Sequence, residues 1–313
     1  MAYTTIDDPS AHFNIKTYTG TVDHDATAGS TQSVTWDATN DFVSDLLWVK
    51  ARSHAQSGHI CDSVRGGVDT GGSGADVGMI KSVPASTSTE FAPTNNTNGS
   101  IKSIDSDGFT LLSGDDSSDR SNNSCRTSYT YIGYGWKANG SGSANTAGSI
   151  NTTATSANTT GGFSIVSWTG DDNSSATLGH GLGAVPKMII TKGRTYASSW
   201  ATYHNKITAD YWLQMCETDA QGDVNTIWND TEPTSTLFTV GSSNQVNDDY
   251  TYIAYVFAEK QGFSKFGKYT GNGHATDGPF AYTGFQPAWI MVKRAIGGTG
   301  NWMVVDNKRP GYN

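Results

Sequence analysis

The chain has four glutamates in all, Glu90, Glu217, Glu232 and Glu259, and that scarcity narrows the hydrolytic chemistry open to it. Glycoside hydrolysis needs two carboxylates across one scissile bond, one of them with a raised pKa. On a sandwich scaffold these usually alternate along one strand, and no strand-like run here carries such a pair. Asp62 and Asp306 recur at matching positions of an internal repeat, but the intervening copy has no acid between Trp200 and Ile207. A carboxylate paired with a neighbouring Lys or Arg is the reading that fits them. His12, His24, His54, His59, His180, His204 and His274 lack the close spacing of a metal site. No GxSxG elbow is present. GHGLGAVP (179–186) leads into a strand and opens no helix, so it is no dinucleotide loop. GDDSSD (114–119) and GDDNSS (170–175) offer oxygen ligands for calcium but lack EF-hand spacing, and Asp, Asn and Ser are ordinary turn residues.

Aromatic rings could instead stack on sugars. Trp48, Trp200, Trp289 and Trp302 fall at repeat-related strand positions and read as core. Trp228, in the polar run TIWNDTEPTS (226–235), is the candidate for exposure and for contact with a glycan or a partner. The residues point to no catalytic, cofactor or metal site. Cys61, Cys125 and Cys216 are odd in number and without CxxC spacing, which argues against a disulfide framework or a zinc site and suits folding in a reducing cytoplasm.

The elements that carry these residues follow a signature that the sequence writes three times: FNIKTYTG from Phe13, FSIVSWTG from Phe163 and FSKFGKYTG from Phe263. Each copy runs through polar residues into an apolar segment with a basic end: DLLWVKAR (45–52), PKMIITKGR (186–194) and PAWIMVKR (287–294). HICDSVRG, WATYHNKI and WMVVDNKR follow in turn. Copies one and two then continue to TYIGYGWK and TYIAYVFAE, and copy three has no counterpart before Asn313. A supersecondary unit repeated in this way builds an array. In copy one, strands are expected near FNIKTYTG, SVTWDA, DLLWVKAR, HICDSV, SIKSID, GFTLLS and YTYIGYGWK. Short strands broken by turn signals make a β-sandwich.

The domain organisation read from this pattern is a first sandwich over 1–137 with loop insertions, a Gly/Ser/Thr/Asn-rich linker or strap over 138–161, a second sandwich over 162–260 and the start of a third, truncated unit over 261–313. The missing end of copy three leads to the expectation that the native polypeptide continues or that partner strands complete the unit. The polar stretch from Val68 to Gly99 reads as a surface loop.

Charged residues make up 16% of the chain, against about 25% in ordinary soluble domains. The formal net charge of −9 disfavours nucleic acid and anionic membranes as partners. The N-terminus has no basic-then-apolar secretory signal, and no apolar run is long enough for a membrane-spanning helix.

The motifs carry a resemblance. WKANG followed by NTTATSANTTGGFSIVSWTG (136–170), LGHGLGAVPKMIITKGR (178–194), NDTEPTSTLFTVG (229–241), YTYIAYVFAEKQGFSKFGKYTGNG (250–273) and DGPFAYTGFQPAWIMVKR (277–294) resemble a family of repeated β domains in marine and cyanobacterial phage virion proteins of tail-fibre type. The likeness spans nearly the whole chain and is closest from Trp136 onward. It implies an all-β fold of tandem antiparallel sandwiches, jelly-roll or concanavalin A-like and lectin-like. It also implies a virion protein made in the host cytoplasm, not an enzyme, that forms a homo-oligomer, most commonly a trimer, with other virion proteins. The alternatives are a lectin-like module gripping host surface glycan and a capsid decoration or head-fibre protein. A glycanase is a further reading, disfavoured by the shortage of glutamate.

Overall fold

In a computed structural model, residues 4–23, 29–38, 42–55, 58–66, 80–81, 87–90, 99–114 and 124–309 are described. The first unit contains β1 (Phe13–Thr19), β2 (Thr31–Thr35), β3 (Leu46–Ala51), β4 (His59–Asp62), β5 (Ile80–Lys81), β6 (Ser100–Asp105), β7 (Gly108–Leu112) and β8 (Thr130–Trp136). They form a five-stranded sheet, β1-β8-β3-β4-β5, over a three-stranded one, β2-β7-β6, all antiparallel. Period-two alternation explains the layering. Leu47, Val49 and Cys61 face inward onto Val34, Ile101, Phe109 and Leu111. Leu46, Trp48 and Ile60 face the other way.

The second unit repeats the plan. It contains β9 (Ala154–Asn158), β10 (Phe163–Thr169), β11 (Ala176–Gly179), β12 (Pro186–Gly193), β13 (Ala201–His204), β14 (Tyr211–Gln214), β15 (Gly222–Asp223), a one-turn helix α1 (Asn225–Trp228), β16 (Leu237–Val240) and β17 (Thr251–Ala258). A seven-stranded antiparallel sheet, β15-β14-β13-β12-β17-β10-β9, covers the β11–β16 pair and α1. The repeat holds to the residue: Phe13 pairs with Trp136 as Phe163 does with Phe257, and Leu46 with Asp62 as Met188 does with His204. The fold is therefore all-β, made of antiparallel sandwich units.

One difference between the copies has a packing cause. β8 reads IGYGW where β17 reads IAYVF. Register makes Gly133 equivalent to Ala254 and Gly135 to Val256. A Cβ on Gly133 would lie 2.8 Å from Phe109, and one on Gly135 would lie 2.8 Å from Trp36. The first core uses Trp36, Phe42 and Phe109 to fill the space that the second fills from the strand itself. Gly135→Val should lower the unfolding free energy by about 1–3 kcal/mol through overpacking, read by urea denaturation. An unchanged midpoint would contradict this size exchange.

One expectation needs correcting, and two others gain detail. The stretch 138–161, expected as a linker or strap, touches both units. Its Ala138 and Gly140 N–H groups donate to the Asp45 carboxylate of the first unit (2.7 and 2.9 Å), and its far end is β9, an edge strand of the second sheet. Within the 68–99 insertion, residues 87–90 are exposed or half-buried and reach the second unit. The Glu90 N–H donates to the Arg194 carbonyl of the second unit (2.7 Å), and its carboxylate pairs with that guanidinium.

The correction concerns FSKFGKYTG, which forms no strand beyond the Lys260–Ser264 bridge. β1 and β10 are strands because β8 and β17 lie beside them, and the third unit has no such neighbour among the described residues. Its regular structure is one hairpin, β18 (Trp289–Val292) with β19 (Met303–Asp306), packed through Trp289 and Val304 onto Ile15, Ile132 and Tyr134.

Candidate functional site

Two Asp–Arg pairs with buried carboxylates lie at the seams between units. Asp62 ends β4, and its Oδ1 accepts the backbone N–H groups of Val64 (3.1 Å) and Arg65 (2.9 Å), so the turn itself orients the carboxylate. Oδ2 then receives Arg65 Nε at 2.5 Å and the hydroxyl of Tyr255, from β17 of the second unit, at 2.8 Å. Arg65 Nη2 donates to the same hydroxyl (3.0 Å). The Asp62 and Arg65 side chains are fully shielded from solvent, and Glu90 lies 4.0 Å from Arg65 while pairing with Arg194.

Burial works against the Arg65 cation, but Asp62, Tyr255 and Glu90 outweigh it and push the pKa up. Burial, with Asp62 adding to it, drives the Tyr255 phenol well above its ordinary range, so it stays an O–H donor.

The same arrangement joins the first and third units. Asp306 Oδ1 accepts the N–H groups of Lys308 and Arg309, and Oδ2 receives Arg309 Nε (2.5 Å) and the Tyr134 hydroxyl (2.9 Å). Arg309 Nη2 donates to the Val304 carbonyl as Arg65 Nη2 does to that of Ile60. Tyr134 and Tyr255 are equivalent in register, opposite Ile15 and Ile165. Each clasp thus joins the tyrosine of one unit to the Asp-x-x-Arg turn of another.

The second unit has His204 and Ile207 at the clasp positions. Burial first and Lys206 second hold His204 down to about 4. An unfolded histidine titrates near 6.5, so below that pH the unfolded chain takes up the proton more readily than the folded one. His204 therefore contributes a loss of stability as pH falls from about 6.5 to about 4. Denaturation across that window should show a shallower decline in His204→Gln than in the parent, and parallel declines would contradict the assignment.

Most of the sequence candidates serve structure. Trp228 is not exposed. It is 2% accessible, lies in the second core with its ring 6.1 Å from Tyr203, and is no platform for a glycan or partner. The run around it is polar, but α1 turns Ile227 and Trp228 together into the sandwich. Tyr203 in turn donates to Glu232, whose other oxygen accepts the Ala209 N–H (2.9 Å). His180 is buried, accepts the Leu182 N–H (3.2 Å) and lies 3.3 Å from the Thr234 carbonyl, so it braces its own turn.

In 170–175, Asp171 Oδ1 accepts from Asn173 and from the Asn247 amide. Asp115–Asp119 and His24 lie outside the described residues. Among the described residues, no group of three or more His, Cys, Asp or Glu could hold a metal. Cys61, Cys125 and Cys216 are free thiols. Lys192 is buried, its ammonium pinned to the carbonyls of Ser198 (3.0 Å) and Thr87 (3.2 Å), and burial lowers it to about 8.

The recurring acids pair with a neighbouring arginine as their sequence suggests, Asp62 with Arg65 and Asp306 with Arg309, and the tyrosines are the partners the sequence did not reveal. The signal for the arginines was present, since DSVR (62–65) and DNKR (306–309) share the spacing. Nothing local marked the tyrosines, which stand 193 and 172 positions away from their carboxylates.

Fold and seams define a repeat protein of antiparallel β-sandwich units joined by buried Tyr–Asp–Arg clasps. The chain belongs to a family described as a domain of unknown function, DUF7483, whose model matches residues 8–313. No curated protein and no solved structure matches it.

Proposed function

We propose that this chain is a structural component of a phage virion, a subunit of a fibre or appendage, with a mechanical role and no catalytic one. The observation that carries the reading is the way the units are joined. Asp62, Arg65 and Tyr255 close one seam and Asp306, Arg309 and Tyr134 the other. Repeats clasped by buried charge form a stiff body, as an arm that transmits load requires. On this reading the buried ionic groups serve to fix one arrangement of the units against others. A surface of low charge density, rich in Thr, Asn and Gly, fits dense β assembly, and homo-oligomerisation, as a trimer in a fibre, goes with the same reading.

Attachment to a host glycan remains the second half of the proposal, but the residue first singled out for it is in the core. Peptide mass spectrometry of purified particles, from the phage whose genome encodes the chain, should find it at stoichiometric abundance. Its absence from washed particles would overturn the reading.

A further inference from the structure

The seams repeat as the units do. Register makes Lys293 of the third unit equivalent to Lys192 of the second, and Ala295 equivalent to Arg194. Lys192 Nζ donates to the Thr87 carbonyl of the first unit (3.2 Å), and the Glu90 N–H, three residues on, donates to the Arg194 carbonyl (2.7 Å). At the next seam Lys293 Nζ donates to the Thr218 carbonyl of the second unit (3.0 Å). The Gln221 N–H, again three residues on, donates to the Ala295 carbonyl (2.8 Å). The third unit grips the second as the second grips the first.

The tyrosine clasps run in the same sense. Tyr255 carries the second unit onto the first, and Tyr134 carries the first unit onto the third. The seam between the first and second units has both contacts, the lysine grip and the clasp, so it relates the other two seams as one interface. Second on first, third on second and first on third is a closed cycle. Its interior is apolar and shared. Leu46 and Ile60 of the first unit and Ile165 and Ile190 of the second form one core, and Met291 and Trp302 of the third pack against it. A head-to-tail interface that closes after three members builds a threefold ring. Between separate chains such a ring is a homotrimer, whereas here one polypeptide supplies all three members.

We propose that this chain stands in for a homotrimer: its three units form a pseudo-threefold ring, and the protein is a single chain in solution. The clasps through which separate copies would associate are already closed within the chain. The Asp62, Arg65 and Asp306 side chains have no exposure to solvent, so a further copy cannot reach them. Joining the units in one chain also lets them differ where identical copies could not, as in the exchange of Gly133 and Gly135 for Ala254 and Val256. For a virion fibre, one chain then takes the place of the trimer. The ring follows from the seams and does not depend on the virion reading, which the composition of the particles decides separately.

The experiment needs no variant. Sedimentation equilibrium of the unaltered protein should give the mass of one chain from low to high micromolar concentration. Cross-linking tests the seam that closes the ring. Unlabelled and heavy-nitrogen-labelled protein are mixed, incubated and treated with a carbodiimide, which joins an amine to a carboxylate without a spacer. Lys308 Nζ of the third unit lies 3.4 Å from Asp37 Oδ2 of the first. Peptides linking Asp37 to Lys308 should be light–light or heavy–heavy alone, like those linking Asp37 to Lys16 inside the first unit. A mass of more than one chain, mixed light–heavy Asp37–Lys308 peptides, or no Asp37–Lys308 link would each overturn the proposal.

Discussion

Replacing Asp62 with alanine should lower the unfolding free energy by about 3–5 kcal/mol, the range seen when one partner of a buried ion pair is removed. The size follows from what the substitution leaves behind. Arg65 stays in place, its side chain with no exposure to solvent and its Nε deprived of the carboxylate 2.5 Å away. Glu90, at 4.0 Å and engaged with Arg194, is too distant to substitute. The Val64 and Arg65 N–H groups and the Tyr255 hydroxyl lose their acceptor in the same step.

Asp306→Ala removes the same set of bonds from the other clasp, but the Arg309 side chain is 32% exposed and water can take over part of the charge. Its effect should be clearly smaller. Urea denaturation of both variants gives the comparison. An Asp62→Ala effect within the ±0.5 kcal/mol of ordinary surface changes would mean that the buried cluster does not hold the seam.

Trp228→Ala should be about as damaging, at about 3–5 kcal/mol, because a large buried aromatic leaves a cavity that its neighbours only partly fill. Trp228 packs edge-on to Tyr203 and sits with Ile227 beneath the seven-stranded sheet. The loss should appear as a lower melting temperature and a lower urea midpoint. The opposite outcome, a parent-like midpoint with selective loss of binding on a glycan array, would restore the exposed-platform reading that the burial removes.

Much of the fold was legible because its cause is local. The run DLLWVK must be covered on both faces, and in the structure Leu47 and Val49 enter one core while Leu46 and Trp48 enter another. YTYIAYVF alternates Tyr252, Ala254 and Val256 against Ile253, Tyr255 and Phe257, and those two sets likewise go to different cores. The reading failed where structure depends on distant partners. FSKFGKYTG has the residues of a strand but, among the described residues, has no neighbour such as β8 and β17 provide to β1 and β10. Trp228 sits among Asn, Asp and Thr that caps and turns favour, and only the adjacent Ile227 hinted that a short helix turns inward. The clasps were half visible: the acids recur in sequence, whereas the tyrosines that complete them come from other units.

The account rests on the claim that the units are held to one another through these clasps, and a double-mutant cycle across one seam tests it most directly. Tyr255→Phe removes one hydroxyl, Asp62→Asn removes the charge it serves, and the two residues belong to different units. The unfolding free energies of the parent, both single variants and the double variant should give a coupling of about 1–3 kcal/mol, as expected for groups in one buried hydrogen-bonded network. Effects that add to within about 0.5 kcal/mol would show that the tyrosine and the carboxylate act independently, and would contradict the clasp.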